Sequence, residues 1–230
     1  MHRFAVIARH IAVSEALERW AYFETHASVK RAHFGFDIDK SSNGMAAFPG
    51  FSCSPARKAA RYEAIERFCL LNWWEGAMDG VRRDTRWPGI RAISFTPILG
   101  GVAVILYMKS RWGFHSYGHA AAGTFDQACQ HARVELARHE SAIQKWIESG
   151  NPNPPGDLFE RRAWFFSTEN GRGLFDARLE LKAAHVEPKP SVACDSEIRG
   201  PWSKYASVWR FLLRPPSERF LHDNDQYFFW

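Results

Sequence analysis

Three stretches of the chain set a carboxylate behind two alanines at helical spacing. Ala8, Ala12 and Glu15 stand four and then three residues apart, as do Ala56, Ala60 and Glu63, and Ala128, Ala132 and Glu135. On a helix this spacing makes one stripe, two small residues followed by an acid on the same face. Small residues let a neighbouring element come close, so each glutamate is expected to be aimed toward the packed side. The first two copies agree further: Glu15-Ala16-Leu17-Glu18-Arg19-Trp20 matches Glu63-Ala64-Ile65-Glu66-Arg67-Phe68 at an offset of 48. The third, Glu135-Leu136-Ala137-Arg138-His139, keeps the first glutamate and has arginine where the second stood.

Glutamates at i and i+3 lie roughly 5–6 Å apart on a helix face. Charges that close repel unless a cation sits between them. A hard divalent ion supplies one, and Mg²⁺ in particular takes oxygen ligands, keeps several waters and binds through a few carboxylates plus nucleotide phosphates. Arg19 and Arg67, four residues after the leading glutamate, can pair with it or meet a phosphate with two parallel hydrogen bonds. One E-x-x-E-R alone is ordinarily a solvated helix face with an i,i+4 ion pair; three related copies point to a site.

The elements that must carry these residues follow from pattern. Helices are predicted over residues 4–23, over 54–74 with Ser54 as N-cap and Pro55 as first helical residue, and over 125–147, ending before Gly150. Strands are predicted at 32–36, 93–96, 102–107, 112–119, 177–183 and 205–213, with a turn-rich segment at 40–44. The breaker Asn151-Pro152-Asn153-Pro154-Pro155-Gly156 separates the last two strands from the rest, and Gly171-Arg172-Gly173 reads as a loop. Trp73-Trp74 and Trp164-Phe165-Phe166 read as core, and the tail Tyr227-Phe228-Phe229-Trp230 is too aromatic to be left in water.

Composition excludes several classes. A chain of 230 residues that is 46% hydrophobic, with 18 Phe, 10 Trp and 6 Tyr against a net charge of +5, folds and buries a core. Cys53, Cys69, Cys129 and Cys194 form no CxxC pair, which argues against a disulfide scaffold or zinc ribbon and for reduced thiols in a cytoplasmic protein. Cys53, though at a helix start, is expected to be a small buried residue. His115 and His119 on a strand would share a face about 13 Å apart, too far to chelate one ion. The uncharged stretch 92–108 contains Pro97 and Gly100-Gly101 and reads as two strands with a turn, so no membrane span is expected, and no targeting segment. The basic residues are scattered, and no nucleic-acid partner is expected.

The segment Ser42-Asn43-Gly44-Met45-Ala46-Ala47, a short connector and the helix ending Glu63-Ala64-Ile65-Glu66-Arg67 resemble the YcaO family. Glu15 to Arg19 is similar to the family's earlier E-A-x-E-R helix, the stretch from Gly118 to Glu135 to its later glycine turn and single-glutamate helix, and Val208-Trp209-Arg210 to a late strand bearing arginine. The resemblance covers most of the chain, strongly over 42–67 and weakly beyond Gly150. It implies ATP-dependent chemistry on peptide backbones: a nucleophile adds to an amide carbon and the oxygen is phosphorylated, giving an azoline, a thioamide or an amidine. By that resemblance Glu15, Glu18, Glu63, Glu66 and Glu135 would hold Mg²⁺, and Arg19, Arg67 and Arg210 would contact phosphates. The turn Ser42, Asn43 and Gly44 would join them in binding the nucleotide.

The family's glycine- and lysine-containing loop ahead of the first helix has no counterpart before Met1-His2-Arg3, so a short form of the domain is expected. The expected fold is α/β (α+β), a single domain over 1–230 with its core in 1–150, and 157–230 completing a mixed sheet beside the glutamate-bearing helices. The expected function is ATP- and Mg²⁺-dependent amide activation in a ribosomally made precursor peptide, with a partner modifying protein and with self-association left open. The alternative is a catalytically inactive scaffold or regulatory subunit of a full-length enzyme.

Overall fold

The structure, a computed structural model, describes residues 2–50, 52–97, 99–150, 155–183 and 188–230. In chain order the elements are α1 (His2–His26), β1 (Met45–Pro49), α2 (Cys53–Trp74), β2 (Val81–Asp84), β3 (Arg91–Phe95), β4 (Val102–Lys109), β5 (His115–Ala122), α3 (Phe125–Glu148), α4 (Leu158–Ser167), α5 (Glu169–Glu180), β6 (Val192–Glu197) and β7 (Ala206–Leu213). Short 3₁₀ turns lie at Arg31–Phe34, Pro201–Lys204 and Arg219–Leu221. This is an α+β fold. The strands form two antiparallel sheets, ordered β1-β7-β6 and β2-β3-β4-β5, where one mixed sheet was expected. Connections over residues 85–90, 96–101 and 110–114 are too short for the crossover that a parallel pair requires.

The chain divides into two compact units, residues 1–67 with 190–214 and residues 68–189 with 215–230. In the first, β7 is the central strand: Met45 lies opposite Arg210 on one side and Glu197 opposite Trp209 on the other. Its core gathers Phe34, Phe36, Met45, Ala47, Trp202, Val208 and Leu212. Residues 32–36 alternate as a strand would, but 31–34 form a 3₁₀ turn capped by Gly35 at φ 71°, which turns Phe34 and Phe36 both inward.

In the second unit, α3 lies along β5 and β4. Thr124 caps it, accepting the Gln127 N–H at 3.3 Å, and Ala128, Cys129, Ala132, Leu136, His139 and Ile143 are buried at spacings of three and four. Gly118, expected in a turn, is instead mid-strand in β5 opposite Leu106. A Cβ there would stand 2.2 Å from the Leu136 nitrogen, so the bare backbone is what lets the alanine stripe of α3 seat on the strand. His139 accepts the Tyr117 N–H at Nδ1 and reaches the Ala163 carbonyl through Nε2, both at 3.0 Å. That fixes a neutral ring, and burial lowers its pKa from 6.5 to about 4. The stretch 92–108 does fold as two strands, β3 and β4, and among the described residues no helix is long and apolar enough to cross a membrane.

Residues 177–183 are not a strand. α5 runs to Glu180 and includes Gly171-Arg172-Gly173, because Thr168 caps it at the Gly171 N–H and Phe175 and Arg178, three residues apart, are both buried. Arg178 donates to the carbonyls of Trp73, Met78 and Leu181, satisfying them from within the core. α2 begins at Cys53, placing Ser54 inside its first turn, and Cys53 is exposed where a buried cysteine was expected. The breaker residues 151–154 lie outside the described residues.

The aromatic tail is core. Phe228 is buried against Trp73, Trp74, Phe166 and Phe175, with ring centroids between 4.9 and 5.9 Å. Arg162, fully buried, holds the tail by donating to the carbonyls of Phe220, His222, Asn224 and Phe229 at 2.9–3.1 Å. Arg162→Ala strips all four of a charged donor at once and is expected to cost about 3 kcal/mol or more, read as a lowered urea midpoint at unchanged slope.

Candidate functional site

The predicted Ser42-Asn43-Gly44 turn and the predicted Glu63 meet directly. Met45 N–H donates to the Ser42 carbonyl at 3.0 Å, closing a four-residue turn whose third member, Gly44, has φ +74°. Glycine is required there both by the left-handed backbone and by space: a Cβ would stand 2.1 Å from the Phe211 carbonyl oxygen. The turn sits on β7 through Phe211 N–H donating to the Gly44 carbonyl at 2.7 Å, which leaves the Gly44 N–H to donate to Glu63 Oε1 at 3.1 Å.

Beneath the turn lies a buried polar frame. Asp39, fully buried, accepts the Ser41 N–H and hydroxyl at 3.0 and 2.8 Å through Oδ1, and its Oδ2 is 3.0 Å from Arg67 Nε. Arg210, also fully buried, donates to the carbonyls of Asp39 at 2.9 Å and Ser41 at 3.0 Å, with its guanidinium 3.9 Å from the centre of the Phe36 ring. Asn43 Nδ2 donates to Ser41 Oγ at 2.9 Å, and from α1 the Tyr22 hydroxyl donates to the Lys40 carbonyl at 2.7 Å. Arg67 and Arg210, expected at phosphates, are thus the struts of the turn. Asp39, which joins them, was not singled out from sequence; the Asp-x-Ser spacing just ahead of the turn is the signal that could have found it.

The glutamates divide by environment. Glu15 and Arg19 are exposed on α1, while Glu18 on α1 and Glu63 and Glu66 on α2 are half-buried. Desolvation raises the Glu18 pKa from 4.5 to about 8, reinforced by the charge of Glu15 and opposed by Arg19. Glu63 is pushed well above the usual carboxylate range by burial first, then by Glu18 and Glu66, against the lowering effects of the Gly44 hydrogen bond and Arg67. The charge of Glu18 on α1 thus contributes to the upward shift of Glu63 on α2. Ala56 and Ala60 are fully buried as their stripe predicted, but Ala8 and Ala12 of α1 are exposed; the first stripe is not a packing surface. Glu135 lies in the second unit, on α3, with its side chain 45% exposed and its carboxylate 2.9 Å from Arg138.

Among the described residues, no three His, Cys, Asp or Glu side chains form a ready metal-holding group. The donors nevertheless suit a hard ion that needs only a few protein ligands. They are carboxylate oxygens, they repel one another, and they are desolvated enough to favour protons, a condition that a bound cation reverses. His115 and His119 both lie on β5, as a strand reading requires, and His115 Nε2 is 3.3 Å from Glu169.

The fold and this arrangement define an α+β protein with two glutamate-bearing helices beside a glycine turn. Solved structures with the same fold are chains of the E. coli microcin synthetase McbBCD complex. With pro-MccB17 bound, the match is 15% identical over 79% of this chain and 56% of the other, at TM-score 0.53. For a second structure of the complex it is 15% over 74% and 53%, at TM-score 0.50. The chain thus spans a little over half the length of those it matches. No family model matches it, and no curated protein does.

Because the folded state holds Glu18 protonated up to about pH 8 while the unfolded chain releases that proton near 4.5, the folded form binds more protons between these values. Its stability is accordingly present at low pH and lost as pH rises through the folded value. In metal-free buffer the melting temperature is expected to fall from pH 5 to 8.5, and Glu18→Gln to flatten that decline. Calorimetry across the series checks it.

Proposed function

We propose that this chain is an ATP- and Mg²⁺-dependent enzyme that activates a backbone amide of a ribosomally made peptide. The single observation that carries the reading is Glu63, half-buried on α2, accepting the Gly44 amide at 3.1 Å and pushed up in pKa by burial and by the charges of Glu18 and Glu66. Supporting it are the sequence resemblance to the YcaO family over 42–67 and the shared fold with chains of a complex solved with pro-MccB17 bound.

In this reading Glu63, together with Glu18 or Glu66, would supply one or two carboxylate ligands to Mg²⁺, which when bound would neutralise the triphosphate and the charge that develops on it. Glu15, exposed one turn earlier, adds negative potential toward the same ion. Arg19 meets phosphate from the surface of α1, and the buried Arg67 and Arg210 add positive potential behind the turn while fixing Gly44. A nucleophile adds to the amide carbon; the resulting oxyanion attacks the γ-phosphorus and ADP leaves; loss of phosphate then breaks the C–O bond. A thiol or hydroxyl side chain gives an azoline, sulfide a thioamide, an amine an amidine. A partner protein presents the precursor peptide, and the setting is cytoplasmic.

A second reading, a non-catalytic scaffold or regulatory subunit, draws on one observation: Val6, Ile11 and Val13 of α1 are exposed apolar residues of the kind that seat on a partner. Isothermal titration separates the two. ATP is expected to bind with Mg²⁺ and far more weakly without it. Glu63→Gln should lower Mg²⁺-dependent affinity on the order of tenfold or more while shifting the melting temperature little. Absence of binding in both conditions leaves the scaffold.

A further inference from the structure

Along the outward side of α3 runs a groove of about 720 Å³ between that helix and the 85–90 connection. That volume is ligand-sized, within the roughly 300–1,000 Å³ of typical clefts. The groove follows the helix from Gln130 to Lys145, a rise of about 22 Å, the reach of six or seven extended residues. Arg86, Arg133, Arg138 and Lys145 line it, and none of the described lining residues is acidic. Arg138 is shared with Glu135, one turn earlier on α3. Between the cations the wall is apolar, with Val134 52% exposed and Ala137 beside it.

The opposite wall is braced. Thr85 Oγ1 accepts the Trp87 N–H at 3.1 Å and donates to the Ile90 carbonyl at 2.8 Å, and Trp87 packs on the cluster formed by α3 and its sheet. The Trp87 ring carries two guanidiniums, Arg86 at 4.6 Å and Arg133 at 5.0 Å from its centre, which holds both cations at the groove without neutralising either.

We propose that this groove docks an acidic, extended peptide segment of about six residues, its carboxylates on the arginines and lysine and an apolar side chain against Val134 and Ala137. Charge complementarity selects the occupant. A second copy of the chain would set the same cationic surface against itself across a two-fold axis. Single-stranded nucleic acid needs open aromatic faces for its bases, and the one aromatic ring here is already stacked by arginine. The site stands independently of the nucleotide reading, and peptide binds with no nucleotide present.

The test is fluorescence anisotropy on the full chain without nucleotide, with three labelled probes: the hexapeptide Asp-Leu-Glu-Asp-Leu-Glu, its neutral counterpart Asn-Leu-Gln-Asn-Leu-Gln, and a twelve-residue oligothymidylate. The acidic peptide is expected to bind, the neutral one on the order of tenfold or more weaker, and added salt to weaken the former. Arg133→Glu with Lys145→Glu, both at exposed positions, should reduce acidic-peptide affinity by a similar factor at unchanged melting temperature. Equal binding of the two peptides, binding indifferent to the charge reversals, no acidic-peptide binding at millimolar concentration, or tighter binding of the oligonucleotide lost in the same variant would each overturn the proposal.

Discussion

Glutamates crowded onto two helices, half-buried and pushed up in pKa, are the constraint on which the candidate site of the first unit depends. Glu18 and Glu63 are each desolvated, each feels another glutamate, and neither is neutralised outright by a neighbouring arginine. Isolated buried carboxylates take up a proton, and paired ones take it up more readily. Such an arrangement costs stability unless a proton or a cation offsets it.

The surrounding architecture keeps the carboxylates where they are. Asp39 takes the Arg67 guanidinium, so that this cation, although four residues from Glu63, does not cancel it completely. Arg210 braces the same segment from β7 by two backbone carbonyls, and the pairing of Met45 with Arg210 fixes how far the turn stands from the strand. Gly44 then points a backbone amide at Glu63, a modest stabilisation of the charged form that orients one oxygen.

Much of this was legible in the sequence where a residue's role is local. α2 and α3 follow from their 3.6-residue periodicity, and β4 from an apolar run buried on both faces. The stripe Ala56, Ala60 ahead of Glu63 is packed as its spacing implies. What escaped depends on partners distant along the chain. The alternation at 177–183 is real, but the carbonyls of Trp73 and Met78, about a hundred residues away, and the Thr168 cap settle it as helix. The inward roles of Arg67 and Arg210 depend on Asp39, whose Asp-x-Ser spacing marks a turn but does not say that the carboxylate is buried. Ala8 and Ala12 have the spacing of a packing stripe and lack the neighbour.

The likeness to chains of the E. coli microcin synthetase complex is one of fold, and the proposed chemistry rests on the carboxylates. Infrared difference spectroscopy measures their protonation directly. At pH 7 without divalent cation, the protein should show a protonated-carboxyl band that Glu18→Gln or Glu63→Gln diminishes, and adding Mg²⁺ with ATP should convert it to carboxylate. A band that is absent at the start, or that persists unchanged when Mg²⁺ and ATP are added, would contradict the account.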